Sequence, residues 1–232
     1  MKKTLFSLVL CLLFFNAQAQ DKNARIGIKG GLNFATISVD EDNPINVDKN
    51  KIISTFQVGL FADVPLASIL YFQPALTLSG KGAKYDIIDV SDNNNLTVKL
   101  NPYYLDLQTN LLLKFPVTES TKVFIGAGPY AAAGLFGKAS IKGKFMGVTV
   151  DEDFDINYTN NKSDVSSSNY TGYANIKRFD FGGNLVAGVE FGRLVLSANY
   201  VHGLVNIQSG TTNDDNDFGK TRSFNMTIGY LF

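Results

Sequence analysis

The chain has 232 residues, of which 45% are hydrophobic, with 21 basic and 21 acidic side chains. That balance excludes the basic footprint of a nucleic-acid binder, while the apolar content suffices for a core or a membrane face. A single histidine, His202, and a single cysteine, Cys11, exclude a two-histidine metal site and a disulfide framework.

The chain opens on MKKTLFSLVLCLLFFNAQAQ. Lys2 and Lys3 form a charged start, Thr4 to Phe15 an apolar run, and Ala17-Gln18-Ala19 a small-x-small cleavage site. This pattern predicts a signal peptide over residues 1–19 and a single domain over 20–232. The apolar run is too short to span a bilayer as a helix. Leu10 before Cys11 is too large for a lipoprotein signal, so no lipid anchor is expected.

After residue 20 the sequence reads as strands, because apolar and polar residues alternate with a period of two. The predicted segments are 25–36, 55–64, 69–85, 102–115, 122–137, 178–192, 193–207 and 223–232. The fourth shows the pattern well: Tyr103, Leu105, Leu107, Leu111 and Leu113 share one face, and Tyr104, Asp106, Gln108, Asn110 and Lys114 the other. Most of these runs exceed a typical soluble strand and match the 9–11 residues of a tilted membrane strand. Pro74 and Pro129 fall within segments and are expected at bulges or local gaps in pairing.

Alternation alone does not say whether the apolar face points to a core or to lipid. The connections do. Residues 37–54, 86–101, 138–177 and 208–222 are long, and 65–68, 116–121 and the Gly192-Arg193 turn are short. Long and short strictly alternate, so every long loop lies at one end of an up-and-down meander. Outer-membrane barrels have short periplasmic turns and long external loops in this way. The predicted fold is therefore all-β: an eight-stranded antiparallel up-and-down transmembrane barrel. The closing strand, SFNMTIGYLF, must pair with the first, because lipid tolerates no open sheet edge.

Several stretches also resemble the PorT-like family of outer-membrane β-barrel proteins of Bacteroidetes. They are IGIKGGLNFA, YFQPALTLSGKGAKY, YYLDLQTNLLLKF, GAGPYAAAGLFGK, DFGGNLVAGVEF, YVHGLVNI and the terminal GYLF. The resemblance implies a small barrel in the outer membrane. It implies little about function: one branch of the family serves type IX secretion, and no residue here points to that branch. By resemblance to outer-membrane barrels generally, the aromatic C-terminal strand is the signal read by the barrel-assembly machinery.

Little in the sequence carries chemistry. Lipid A deacylases on small barrels pair a histidine with a nearby serine, and His202 is followed by Gly203 and Leu204. DEDFD (151–155) and NDDND (213–217) suit a hard cation in composition but lack the EF-hand spacing, and read as solvated acidic loops. No catalytic, cofactor-binding or metal-binding residue is assigned, and no cofactor is expected. The inward face carries Lys29, Lys114, Asp63, Asp106, Asp180 and Glu190. Eight strands leave room only for side chains, so these charges are expected to pair and plug the lumen.

The expected role is that of a non-enzymatic envelope protein acting through its external loops. The alternatives are a narrow solute pore or an accessory part of a secretion system. Expected partners are outer-membrane lipid and lipopolysaccharide, the assembly machinery at the C-terminal strand, and a protein or surface ligand at the loops, with no nucleic acid.

Overall fold

A computed structural model describes residues 24–38, 48–89, 94–145, 148–158, 175–207 and 219–232. The predicted signal peptide, residues 1–19, and the NDDND stretch lie outside the described residues. The strands are β1 (Arg25–Ser38), β2 (Asp48–Lys51), β3 (Ile53–Pro65), β4 (Leu70–Gly80), β5 (Ala83–Asp89), β6 (Asn94–Pro116) and β7 (Thr121–Phe145). They continue with β8 (Val148–Asp155), β9 (Asn157–Tyr158), β10 (Asn175–Ile176), β11 (Phe179–Phe191), β12 (Leu194–Asn206) and β13 (Lys220–Leu231).

Eight of them close a ring in the order β1, β3, β4, β6, β7, β11, β12, β13 and back to β1. The closing seam runs unbroken from Gly27 opposite Leu231 to Ser38 opposite Lys220. The ladder pairs can be followed from Leu194 through Tyr230, Ile28, Leu60, Leu76, Leu107 and Ala131 to Phe181. Gly182 beside Phe181 pairs with Gly203, so the circuit returns to β12 level with Leu204 rather than Leu194. That stagger is the shear that tilts the strands of a closed barrel.

The turns after β3, β6 and β11 are tight and lie at one end with the starts of β1 and β4. Leu66 and Ala67 donate to the Leu70 carbonyl, and Val117 and Thr118 donate to that of Thr121. Gly192, at a positive φ of 59°, forms the third turn with Arg193.

Both prolines lie at gaps in the ladder. The β3–β4 pairing lapses between Phe61–Ala75 and Val64–Phe72, beside Pro74, and the β6–β7 pairing between Gln108–Tyr130 and Leu111–Ala127, beside Pro129. The register is the same on both sides of each gap, so neither is a bulge. A bulge occurs instead at Leu135: Tyr103 faces Phe136 and Tyr104 faces Gly134. The extra residue turns Leu135 and Phe136 to the same side, and both are about half exposed.

The two faces of the ring are inverted relative to a soluble barrel. Leu32, Leu60, Ile125, Leu185 and Ile228 point outward and are each more than half exposed, while Asn33, Asp63 and Asp180 point inward and are fully buried. A continuous apolar band of this size on a monomer in water is strongly unfavourable. Against acyl chains it is at home.

The structure corrects several assignments: β2 and the start of β3 lie within the predicted connection 37–54, and the predicted segment 69–85 is divided between β4 and β5. Composition predicts a solvated connection over residues 86–101, but β5 and the first residues of β6 run through them as a ladder from Ala83–Leu100 to Asp89–Asn94. It predicts one long loop over 138–177, but β7 continues to Phe145 and returns as β8, so DEDFD lies on a strand. The reason is a change of solvent along the strand. Below Tyr103 the outward residues of β6 are apolar apart from Thr109. Above Tyr103, Val98 and Leu100 point inward and are buried, and Lys99 faces out. The same strand is lipid-facing below and water-facing above, so the apolar set changes face.

Candidate functional site

The period-two geometry of each ring strand delivers every second side chain into the lumen. Those side chains fill it in successive levels. At the end bearing the tight turns, Arg25 of β1, Asp63 of β3, Lys114 of β6 and Glu190 of β11 meet. Lys114 Nζ donates to Asp63 Oδ2 and Glu190 Oε2, each at 2.7 Å. Arg25 donates to the same two carboxylates at 3.0 and 2.5 Å. Two cations thus face two anions, which offsets the cost of burying them. The Lys114 ammonium also lies 4.7 Å from the centre of the Tyr71 ring.

One inward step up the strands is an apolar level formed by Phe61, Leu112, Phe124, Val186, Val195 and Leu231. Phe61 fits because its ring covers Gly27 of the neighbouring β1: a Cβ there would stand 2.7 Å from the ring. Above this lies a polar chamber lined by Lys29, Gln73, Ser197, Asn199 and Thr227. Ser197 and Thr227 share a hydrogen bond of 2.6 Å, Asn184 donates to Asn110 at 3.0 Å, and Lys29 donates to Gln108 at 3.4 Å.

Higher still, Lys81 sits between Asp106 and Asp180, at 3.1 and 3.0 Å. Tyr130 and Thr221 also donate to Asp180, at 3.0 and 2.9 Å. The Lys81 ammonium lies 4.3 Å from the Tyr130 ring centre and 5.3 Å from that of Tyr104. A second apolar level covers this cluster, with Tyr104, Leu100, Val98, Tyr85, Ile156 and Tyr158 among its members.

The inward charges read from the sequence are therefore gathered into two clusters, except Lys29, which faces the chamber. Lys81 and Arg25 belong to these clusters and are absent from the sequence reading. Lys81 has the same parity as Gln73 and Thr77, and Arg25 the same parity as Lys29. That spacing is the available signal; Lys81 lies just past the end of β4, inside the predicted segment 69–85, and Arg25 is the first residue of its predicted segment.

His202 is in β12, opposite Arg222, between the outward Tyr200 and Leu204; its ring lies 6.2 Å from that of Tyr200. Among the described residues, no three His, Cys, Asp or Glu side chains come together as a metal site.

Outside the membrane band the sheet presents a charged outer wall. Asp86 on β5 accepts from Lys51 at 2.5 Å and Thr97 at 2.8 Å, and these donors hold its carboxyl below the ordinary aspartate value. Lys142 pairs with Asp151 at 2.8 Å, which raises its ammonium pKa.

The profile of the outer membrane protein beta-barrel domain family matches residues 16–209. The chain belongs to that family. It is a β-barrel of the bacterial outer membrane, crossing lipid with strands and carrying the tight turns at one end. Among solved structures, the barrel is similar to the outer membrane protein OprG of Pseudomonas aeruginosa, at 13% identity, with 91% of this chain and 97% of that chain covered and a TM-score of 0.45. It is also similar to Ail, the attachment invasion locus protein of Yersinia pestis, at 11% identity over 90% of this chain and 99% of that one, with a TM-score of 0.40. Neisserial surface protein A gives 11% identity over 91% and 100%, with a TM-score of 0.40. No curated protein sequence matches the chain. The strand registers and the family match, not these distant likenesses, carry the assignment.

Proposed function

We propose that this outer-membrane barrel is sealed along its lumen, is not an enzyme, and acts through the sheet and loops it raises outside the membrane. The observation that supports this reading is the lumen itself, closed by two ion-paired clusters and two apolar levels. A hydrated ion meeting Phe61, Phe124 and Leu112 would have to shed its water with no polar group to replace it. A pore would need a continuous polar path, and an enzyme would need a base beside a nucleophile in reach of substrate. His202, on the lipid-facing wall, supplies neither.

Within the family, the motifs from IGIKGGLNFA to YVHGLVNI support a place near the PorT-like barrels. We assign no secretion role, since none of the clusters described requires one. The partners we propose are the assembly machinery, engaging the C-terminal strand, and a surface ligand at the external end. Cleavage of a signal peptide after Ala19 belongs to the same proposal.

Planar-bilayer recording from purified, refolded protein tests the sealed lumen. The expected result is no steady single-channel step. Steps that change when Asp106 or Lys29 is neutralised would overturn it.

A further inference from the structure

The outer wall changes character abruptly on β5, β6 and β7. The last lipid-facing residues beneath it are aromatic: Phe56 of β3, Tyr103 of β6 and Phe136 of β7 stand in a row, with ring centres 5.4 and 5.1 Å apart. The next outward residues are Asn101 on β6 and its ladder partner Lys138 on β7. One step further out, Lys84, Lys99 and Ser140 stand side by side across three strands. Lys99, Asn101, Lys138 and Ser140 line one shallow recess, with Asp153 at its β8 edge.

This arrangement is unfavourable for the protein alone. Lys84 and Lys99 are directly opposed like charges, and Lys51 is the ladder partner of Lys84 on its other side. Such pairs destabilise a sheet unless an anion lies between them. Asp86 answers Lys51 at 2.5 Å and stands 3.8 Å from Lys84. Lys99 and Lys138 make no ion pair within 4 Å among the described residues, although Asp155 of β8 is the ladder partner of Lys138.

The height of the lysines identifies the anion. At about 3.3 Å per residue, Lys138 lies roughly 7 Å along its strand above Phe136, and Lys99 roughly 13 Å above Tyr103. Tilt reduces both heights, and the headgroup layer adds about 5–7 Å to each side of the hydrocarbon. The ammonium groups on their flexible stems thus reach the phosphate layer, while the aromatic row beneath meets the acyl chains.

We infer that Lys84, Lys99 and Lys138, with Asn101 and Ser140, form a binding site for the phosphorylated headgroup of an outer-leaflet lipid whose acyl chains lie against Phe56, Tyr103 and Phe136. The inference requires the membrane orientation and does not depend on the sealed lumen. Asp153 and Asp155, the ladder partners of Ser140 and Lys138, bound the site on the β8 side and oppose the anion.

Native mass spectrometry of the refolded barrel, titrated with bisphosphorylated lipid A, tests it. The triple variant K84Q/K99Q/K138Q should bind about 100-fold more weakly, taking roughly 1 kcal/mol for each lysine near an anionic surface. D153N should bind at least as tightly as the parent. Dephosphorylated lipid A should bind as weakly to the parent as the phosphorylated form does to the triple variant. The heat-dependent gel shift of a folded barrel checks that each variant is folded. Three results would overturn the site: equal binding of both lipids, full binding by a folded triple variant, or complete displacement by inorganic phosphate, which would make it a soluble-anion site. Weaker binding by D153N would also overturn it, because the lipid would then be held through a cation.

Discussion

Lys114 and Asp63 lie on β6 and β3, and their charged atoms meet 2.7 Å apart inside the barrel, with Glu190 of β11 at the same distance from the lysine. Three strands that are not ladder neighbours are thereby joined through the lumen.

Removing that lysine leaves two buried carboxylates with only Arg25, itself partly exposed. Lys114→Met should lower unfolding stability by about 3–5 kcal/mol, the cost of breaking a buried pair. The chain has no tryptophan, so urea unfolding in detergent micelles followed by far-ultraviolet circular dichroism measures this. A loss below about 1 kcal/mol, as for a surface pair, would show that the cluster is hydrated in solution.

The external cluster predicts an asymmetry. Lys81→Gln leaves Asp106 and Asp180 facing each other unneutralised, whereas Asp106→Asn leaves Lys81 paired with Asp180. The lysine variant should be the less stable by more than about 1 kcal/mol on the same assay. Equal losses would mean that Lys81 is held by the rings of Tyr130 and Tyr104 rather than by the two carboxylates.

Two glycines make a matched test of closure. A Cβ on Gly31 would stand 1.9 Å from the Met226 carbonyl oxygen across the β1–β13 seam, while a Cβ on Gly183 meets nothing within 4 Å. Gly31→Ala should cut the folded, heat-shiftable fraction on an SDS gel severalfold, and Gly183→Ala should leave it at the parental level. Equal yields would show that the seam tolerates a shift of its strands.

The wall outside the membrane carries a pH dependence. Asp86, with Lys51 and Thr97 donating to it, has a folded pKa below the ordinary 3.8. Its contribution is therefore fully present above pH 3.8 and is lost as pH falls through the lower folded value. Amide exchange in β5 should stay slow down to that range and rise below it, after correction for the intrinsic rate. Asp86→Asn should remove the step. A transition near neutral pH would contradict it.

Much of the ring is legible in the sequence because a single rule, alternation, applies to it throughout. Leu105, Leu107 and Leu113 on one face and Asp106, Gln108 and Lys114 on the other are enough to place β6 and both its faces. Segregation of the loop lengths then chooses lipid for the apolar face. The upper halves of β6 and β7 are harder to read, because there the rule reverses: Val98, Leu100, Ala139 and Ile141 point inward under an outer face of Lys99, Lys138 and Lys142. The outward row that begins at Leu105 and Tyr103 runs on into polar residues, which is also how a loop begins. The pairing of Lys114 with Asp63 and Glu190, and of Lys81 with Asp106 and Asp180, depends on shear around the ring, which parity along one strand does not contain.

The continuation of β7 from Phe136 to Phe145, laddered to β6 on one side and β8 on the other, has a geometric consequence. Nine residue steps at about 3.3 Å amount to roughly 30 Å of hydrogen-bonded ribbon rising from the last aromatic of the membrane band. The ribbon therefore reaches well past Lys99 and Lys138 of the outer wall, and the Leu135 bulge sits at its foot, where the barrel rim meets it.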